Sequence, residues 1–328
     1  MAAAQHPTCE TWPPPAAGVR QPLRVVLAAP RGFCAGVRRA IEAVEAAIER
    51  HGAPVYVRRA IVHNLAVVRD LEAKGAVFVQ EASDVPPGGV LILSAHGVAA
   101  SVAREARTEA RRVIDATCPL VAKVHREVIR HHRDRRRIVL IGHAGHPEIE
   151  GTLGQLPGGA AELIASRDDV DRLGWSPETP LAYAIQTTFS VEDAEAIVAR
   201  LEARFRDIAG PQGSDICYAT TNRQAALRAI AREVDAVIVV GESFSSNANR
   251  LAEVARDEGR PVQLVAEPAD LDWTILRDSR SIAVTAAAST PESSVLAILA
   301  TLGRRFDVAL DEVDAARERA RFQAVRIA

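Results

Sequence analysis

The chain has 328 residues, a formal net charge of −2, 48% hydrophobic residues and four cysteines. This length gives room for two domains, or one large one, with substantial hydrophobic cores. The near-neutral charge argues against a nucleic-acid-binding protein, which neutralises phosphates with an excess of Lys and Arg. No apolar run reaches the roughly 18 residues of a membrane-spanning helix, and four cysteines are too few for a disulfide scaffold. We therefore expect neither a nucleic-acid partner nor a membrane partner.

The two ends of the chain differ from the rest in composition. Residues 1–22 are rich in Pro and Ala and lack hydrophobic periodicity, so we expect a disordered N-terminal extension. This extension lacks the charged start and apolar stretch of a secretory signal, which favours the cytoplasm, where thiols stay reduced. Residues 311–328 are charged and helix-prone, and we predict a C-terminal tail without functional residues.

Between the two ends, short apolar runs alternate with amphipathic stretches. The predicted strands are 24–28, 55–57, 76–79, 90–93, 112–115, 138–141, 181–185, 236–240, 262–265 and 281–285. The predicted helices include 37–50, 65–74, 120–132, 191–204, 224–234 and 246–258. Strands that alternate with helices are typical of a parallel α/β fold.

Three of the cysteines mark a weak internal repeat. Cys34, Cys118 and Cys217 each follow an extended segment and precede an amphipathic helix, at separations of 84 and 99 residues. Such spacing predicts three similar α/β lobes, which we place at residues 23–116, 117–213 and 214–310. Equivalent positions in three lobes would allow the cysteines to meet at a common centre.

The position of these cysteines suggests metal chemistry. A cysteine at a helix N-terminus favours the thiolate, because unpaired N–H groups and the helix dipole stabilise negative charge. Structural zinc sites usually use close C-x-x-C pairs, which are absent here. Three isolated cysteines fit an iron–sulfur cluster better, with one iron left without a protein sulfur and open to a substrate oxygen. The alternative is three buried free cysteines, which are common core residues.

Polar residues follow several predicted strands, where parallel α/β folds place their ligands. His146 and Glu148 lie in the motif GHAGHPEIEG, directly after the strand at 138–141, and are candidates for a cation and a proton donor. His63 and His96 lie in similar places after other strands. A lone histidine is more often structural, and for the neighbouring His143 we favour a structural role.

Small donors complete the set of candidates. They are Thr187, Ser245, Ser246, Asn247 and Ser289, each close behind a predicted strand. Together they can form an anion cradle from hydroxyl and backbone N–H groups, although helix capping is the alternative for each cluster taken alone. Neither a P-loop nor a G-x-G-x-x-G motif is present, so neither ATP nor NAD is indicated.

Nine motifs in order make the sequence recognisable between Pro30 and Pro291. They read PRGFCAGV, VHN, SAHGV, DATCPLV, GHAGHPEIEGT, QTT, DICYATTNRQ, SSNANR and TAAASTP. The chain closely resembles the LytB family of 4-hydroxy-3-methylbut-2-enyl diphosphate reductases. This resemblance implies an α/β fold with three pseudo-equivalent lobes in a trefoil around a central iron–sulfur cluster.

The resemblance also implies residue roles. It implies a [4Fe–4S] cluster on Cys34, Cys118 and Cys217 with an open fourth iron, proton delivery by Glu148 beside His146, and a substrate- and water-holding role for Thr187. The implied diphosphate site consists of His63, His96, His146, Ser245, Ser246, Asn247 and Ser289. The implied reaction removes an allylic hydroxyl as water with two electrons and two protons, and ferredoxin or flavodoxin supplies the electrons.

Two departures from the family pattern keep alternatives open. Phe244 stands where Asn is common, and Ala287 stands where the family usually has Gly, which matters if that residue needs a positive φ. These departures motivate one alternative, a diverged paralogue that acts on another allylic diphosphate. A second alternative, which does not depend on them, is a non-catalytic iron–sulfur sensor that needs the cluster but not Glu148.

Overall fold

The computed structural model describes residues 20–108 and 111–327, which form three sheets that are parallel throughout. The strands are β1 (Gln21–Ala29), β2 (Val55–Arg58), β3 (Ala76–Val79), β4 (Val90–Leu93), β5 (Arg112–Asp115), β6 (Arg137–Ile141), β7 (Ala161–Ile164), β8 (Leu181–Ile185), β9 (Ile208–Ala209), β10 (Ala236–Val240), β11 (Val262–Val265), β12 (Ser281–Ala286) and β13 (Phe306–Asp314). The helices are α1 (Ala35–His51), α2 (Leu65–Ala73), α3 (Ala100–Ala106), α4 (Pro119–Arg133), α5 (Pro147–Leu153), α6 (Arg167–Arg172), α7 (Val191–Arg204), α8 (Tyr218–Ala231), α9 (Ser246–Asp257), α10 (Trp273–Leu276) and α11 (Glu292–Arg305).

Each sheet belongs to one lobe. Sheet 1 has the strand order β3-β2-β4-β5, sheet 2 has β7-β6-β8-β9, and sheet 3 has β11-β10-β12-β1-β13. Strands β4 and β10 are buried at every position, as expected for strands whose two faces are covered by helices. The predicted α/β class with parallel strands is confirmed.

The chain crosses from one sheet to the next at each of the three cysteines. Strand β1 lies in sheet 3, and the helix after it, α1, packs on sheet 1. Strand β5 ends sheet 1 and α4 packs on sheet 2, while β9 ends sheet 2 and α8 packs on β1 of sheet 3. Cys34, Cys118 and Cys217 lie in these three connections. The crossovers therefore bring the cysteines to the centre, between the lobes.

The N-terminal boundary differs from the sequence prediction. Most of the predicted disordered extension, residues 1–22, and Cys9 lie outside the described residues. Gln21 and Pro22, however, are part of β1, which pairs with β12 on one side and β13 on the other. The proposed lobe boundaries remain a prediction, but β1, assigned to lobe one, is a central strand of sheet 3.

The C-terminal tail is not helical, contrary to the sequence prediction. Phe306–Asp314 forms β13, which pairs with β1 along its whole length, and residues 315–327 continue without regular secondary structure. The edge of β1 has N–H and C=O groups that need partners, and pairing with them outweighs the helix propensity of this charged segment. The sequence prediction also lacked the short strands β7 and β9.

Within the part of the chain that is described, no helix is long and apolar enough to cross a lipid bilayer.

Candidate functional site

The three cysteines line one central cavity of about 100 Å³. Cys34, Cys118 and Cys217 are the N-cap residues of α1, α4 and α8. The backbone N–H of each cysteine donates to a carbonyl in a loop that follows a strand, at Ala288, Ala95 and Thr187 respectively. Each of these loops also carries one or more of the candidate polar residues. The backbone therefore links every cysteine to the polar half of the cavity.

Burial changes the expected charge of the thiols. We expected helix N-termini to favour thiolates, but burial raises the pKa of Cys118 to about 12 and that of Cys217 to about 11, and the neighbouring thiols add to both shifts. The loss of solvation outweighs the local N–H groups and helix dipoles here. A thiolate at Cys118 or Cys217 consequently needs a bound cation, which deprotonates coordinating thiols.

The donor set fits a cluster better than a single ion. In residues 20–108 and 111–327, no group of three His, Cys, Asp or Glu side chains is arranged to hold one metal ion. The three thiols instead lie around a shared cavity, as a multi-atom group requires. Gly36 lies between two of them, because a Cβ atom there would be 2.8 Å from the Cys118 Sγ and 3.8 Å from the Cys34 Sγ. Soft thiolate ligands of this kind suit zinc, copper(I) and iron–sulfur clusters, and of these the shared cavity fits the multi-atom cluster.

Three clustered histidines form one wall of the cavity. The ring centroids of His63 and His96 are 4.1 Å apart, and those of His63 and His146 are 5.3 Å apart. Burial lowers the pKa of His63 to about 4 and that of His146 to about 3, and it lowers the pKa of His96 well below its usual value. The three rings are therefore neutral at pH 7 without a ligand.

Several buried polar atoms in this wall have no partner among the described residues. They are the Nε2 atoms of His63 and His146 and the Oδ1 atom of Asn247. The Nδ1 atom of His146 accepts the backbone N–H of Glu148 at 3.2 Å, so the proton of the neutral ring lies on Nε2. Unpaired buried polar atoms are rare in native proteins. Their presence on a cavity wall indicates a polar ligand.

Glu148 and Thr187, which both line the cavity, are joined by two hydrogen bonds. The Thr187 backbone N–H donates to Glu148 Oε1 and its hydroxyl to Oε2, both at 2.7 Å. Burial raises the pKa of Glu148 to about 7, although the two bonds from Thr187 counteract part of this shift. The carboxyl is therefore poised to hold or release a proton near neutral pH.

The small donors have structural roles as well as places on the cavity. Ser245 caps α9, because its Oγ accepts the N–H of Ala248 at 3.4 Å. Ser246 Oγ accepts from the Thr188 hydroxyl at 3.0 Å, and Ser289 Oγ donates to the His63 carbonyl at 3.0 Å. All of these serines and Asn247 line the cavity. Helix capping and ligand contact are thus compatible here, since the first turn of α9 also forms the cavity wall.

The cavity lining contains every candidate site residue that the sequence analysis named, together with others that it did not name. Phe322, in the supposedly featureless tail, lines it, as does Tyr218 beside Cys217. The Tyr218 hydroxyl accepts the backbone N–H of Ala35 at 3.1 Å. Position beside a cysteine motif could have indicated Tyr218, but no local signal marks Phe322. His143 lies outside this cavity, against the ring of Phe189 at 4.8 Å.

Comparison with known proteins identifies the family. A family model described as "LytB protein" matches residues 25–303. The chain belongs to the LytB family. Its relatives in the LytB family include a 4-hydroxy-3-methylbut-2-enyl diphosphate reductase of Paracoccus denitrificans, 50% identical, with 94% of this chain and 98% of the relative covered. Another, from Phenylobacterium zucineum, is 51% identical with the same coverage. The resemblance seen in the motifs is confirmed.

A solved LytB-family relative confirms the fold. The structure of the E-1-hydroxy-2-methyl-but-2-enyl-4-diphosphate reductase from Plasmodium falciparum superposes with a TM-score of 0.87 at 37% identity, covering 93% of this chain and 96% of that one. The three-lobed α/β architecture is shared. Ala287, where the family usually has Gly, does not strain the backbone. Among the described residues other than Gly, a positive φ occurs only at Arg59 and Arg135, so the φ of Ala287 is one that alanine adopts readily.

Proposed function

We propose that this chain is a 4-hydroxy-3-methylbut-2-enyl diphosphate reductase, the last enzyme of the methylerythritol phosphate route to isoprenoids. It removes the allylic hydroxyl of its substrate as water, with two electrons and two protons, to give isopentenyl and dimethylallyl diphosphate. The observation that carries this proposal is one cavity that joins three cysteines, three neutral histidines and the Glu148–Thr187 pair. The names of the relatives above support the same reaction.

The cysteines are the proposed ligands of a [4Fe–4S] cluster. Cys34, Cys118 and Cys217 would each hold one iron, which leaves the fourth without a protein sulfur. The bound cluster supplies electrons and a Lewis-acidic iron, chemistry that protein side chains cannot perform alone. Support comes from the shared cavity and from Gly36, which leaves room beside two of the thiols.

The histidine wall is the proposed diphosphate site. Neutral imidazoles, the Asn247 amide and the hydroxyls of Ser245, Ser246 and Ser289 offer donors to phosphate oxygens. The unpaired Nε2 atoms of His63 and His146 support this assignment. A bound anion would raise the pKa of these rings, since a nearby negative charge favours the imidazolium form. The site therefore gains positive charge only when the ligand arrives.

Glu148 is the proposed proton donor. With a pKa near 7 it is partly protonated at neutral pH, whereas an ordinary carboxyl would be ionised. Its two bonds to Thr187 hold the carboxyl in one orientation, and Thr187 in turn is held by the Cys217 N–H on its carbonyl. A first proton can pass from Glu148 to the leaving hydroxyl, which departs as water. After Glu148 has taken up a proton again, a second can pass to the allyl fragment, directly or through the diphosphate. The Nδ1 atom of His146 accepts the Glu148 N–H and so caps the N-terminus of α5, the helix that carries Glu148.

The electron donor and compartment are also proposals. We expect a one-electron carrier, ferredoxin or flavodoxin, because the sequence has no dinucleotide motif from which a hydride could be supplied. We expect the cytoplasm, because a reducing compartment keeps unpaired cysteines free of disulfides. Pull-down or turnover with each purified carrier would distinguish them.

The test of the proposed function is anaerobic turnover. Protein with a reconstituted cluster should convert 4-hydroxy-3-methylbut-2-enyl diphosphate, with reduced methyl viologen, to both isoprenyl diphosphates. Mössbauer spectra with and without substrate should show one iron site that changes on binding. A protein that stays colourless after anaerobic reconstitution, or a cluster-loaded protein that gives no product, would contradict the proposal.

Diphosphate binding should be coupled to proton uptake. The free rings of His63 and His146 have pKa values of about 4 and 3, and an adjacent anion raises them. The complex then holds more protons than the free protein, so affinity falls as the pH rises above about 4. Calorimetry of isopentenyl diphosphate binding in buffers of different ionisation enthalpy measures this uptake.

The controls for proton uptake are single histidine variants. His63→Asn should reduce the number of protons taken up, whereas His132→Asn, on the outer end of α4, should leave it unchanged. Binding enthalpies that do not depend on the buffer in the wild-type protein would refute the coupling.

Phe244 is one of the two departures, with Ala287, that motivated a different substrate, and it is not among the residues that line the cavity. The residue is 47% exposed, and its ring meets that of His63 edge-on with a centroid distance of 5.9 Å. We therefore expect Phe244→Asn to leave the order of preference in a panel of allylic diphosphates unchanged. Asn247→Ala should raise KM about tenfold or more, because it removes a donor to a charged ligand.

A reversed preference in Phe244→Asn would revive the diverged paralogue. The relatives described above support neither that alternative nor the sensor, since they carry the reductase name.

A further inference from the structure

We infer that the C-terminal segment 315–327 is a clamp that positions the cysteine loops and covers the central cavity. This clamp depends on the proposed function only for the identity of the group that the cysteines bind. The segment has no helix or strand, yet it contacts the connections that carry the cysteines. These contacts run through two arginines, one on α8 and one on α1.

The first contact is Arg223, which is fully buried on α8, the helix that begins after Cys217. Its Nε and Nη2 donate to the Gly32 carbonyl at 3.2 and 2.7 Å, two residues before Cys34. Its Nη1 donates to Glu318 Oε1 in the tail at 2.7 Å. A buried guanidinium needs its carboxylate, because removing one partner leaves an uncompensated charge. Glu318 thus stabilises the link between two cysteine loops.

The second contact is Arg39 on α1, the helix that begins after Cys34. Its Nη1 donates to the Thr117 carbonyl at 3.0 Å, immediately before Cys118. Its Nε donates to the Gln323 carbonyl of the tail at 2.8 Å. Arg39 therefore repeats the arrangement of Arg223, because each arginine joins the helix after one cysteine to the backbone before another and to the tail.

Phe322 lies between these two contacts along the chain and faces the cavity. The segment is anchored on both sides of it: the Ala315 N–H donates to the Ala29 carbonyl at 2.9 Å, and Val325 and Ile327 pack on the core of sheet 1. Because the segment is anchored on both sides of Phe322, the ring is held at the cavity and excludes water from it. The tail consequently shields whatever the three thiols bind, while Glu318 and Gln323 hold the loops in register.

The test measures access to the thiols in cluster-free protein, independent of turnover. Full-length wild type and Phe322→Ala, Glu318→Gln and Arg319→Gln variants are treated with iodoacetamide under anaerobic conditions, and each cysteine is quantified by mass spectrometry. Phe322→Ala and Glu318→Gln should alkylate Cys34, Cys118 and Cys217 at least about fivefold faster, because local opening governs access to buried groups. Arg319→Gln, a substitution of an exposed neighbour, should match wild type.

A second readout uses cluster-loaded protein exposed to air. The visible absorbance of Phe322→Ala should bleach faster than that of wild type at equal initial iron content, and Phe322→Leu should restore most of the protection. Equal alkylation and bleaching rates in wild type and Phe322→Ala would overturn the clamp. Phe322 holds no buried charge, so this variant decides the matter even if Glu318→Gln fails to fold. Loss of turnover in a wild type whose thiols remain protected would instead contradict only the proposed function.

Discussion

Replacing Glu148 with glutamine should lower kcat by about 10²–10⁴, the usual contribution of a positioned proton donor. Glutamine keeps the shape, its oxygen can still accept the Thr187 N–H, and its amide N–H can donate to the Thr187 hydroxyl, but it has no proton to deliver at neutral pH. The wild-type kcat should fall as the pH rises through about 7, because the buried carboxyl then loses its proton. Anaerobic turnover at saturating substrate, measured between pH 6 and 8.5, gives both quantities.

The matched control for this variant is Glu150→Gln. Glu150 lies two residues further along α5, half exposed and paired with Arg59 at 2.7 Å. Its substitution should leave kcat within about twofold, because an exposed ion pair contributes little. Full activity in Glu148→Gln, or an unchanged pH profile, would remove Glu148 from the mechanism.

Glu148 should also make the stability of the cluster-free protein depend on pH. Its pKa is about 7 when folded and near 4.5 when unfolded, so the folded state binds the additional proton between these values. The stabilisation is therefore complete below about 4.5 and is lost as the pH rises through about 7. The temperature of thermal unfolding should differ less between pH 6 and pH 8 in Glu148→Gln than in wild type.

Replacing Gly36 with alanine should abolish most iron binding. The added Cβ atom would lie 2.8 Å from the Cys118 Sγ, closer than real contacts allow, so α1 or the cysteine has to move. We expect the cluster-free protein to lose about 1–3 kcal/mol of stability, the usual cost of overpacking. Iron content after anaerobic reconstitution and chemical denaturation without the cluster measure the two effects.

Gly303→Ala is the control for the intrinsic effect of the substitution in a helix. Gly303 lies in α11, where an added Cβ would meet no atom within 4 Å. This variant should bind the full amount of iron and gain about 0.5–1 kcal/mol, because alanine is the better helix former. Normal iron content in Gly36→Ala would show that the close approach at Cys118 is not needed.

Local patterns predicted much of the fold. The strands at 76–79, 90–93, 112–115, 181–185, 236–240 and 262–265 match the structure at both ends. Two of them, β4 and β10, are apolar at every position because both of their faces are buried, and that makes them visible in sequence. Strand β13 was invisible for the opposite reason: it is an exposed edge whose charged residues favour a helix in isolation. It becomes a strand only because the edge of β1 needs a partner, and the first pair joins Gln21 to Phe306, 285 residues apart in the chain.

The candidate site was predictable wherever its residues lie in compact motifs. His146 with Glu148, and Ser245 with Ser246 and Asn247, are adjacent in the chain, so one short segment shows their chemistry. Glu318 pairs with Arg223, and Phe322 lines the cavity. In both cases the partners lie far away in the chain, so no short segment shows these roles. The charge of the thiols also needed the structure, since desolvation depends on everything packed around them.

By itself, then, the sequence determined the parallel α/β class and the types of residue that line the cavity. These depend on hydrophobic period and short-range turn chemistry, which act within one segment. The tertiary structure decided that each cysteine lies where the chain crosses between sheets, that β1 belongs to sheet 3, and that the tail closes the site. These features depend on hydrogen-bonding edges and buried charges that find partners far away in the chain, and no local pattern records a distant partner.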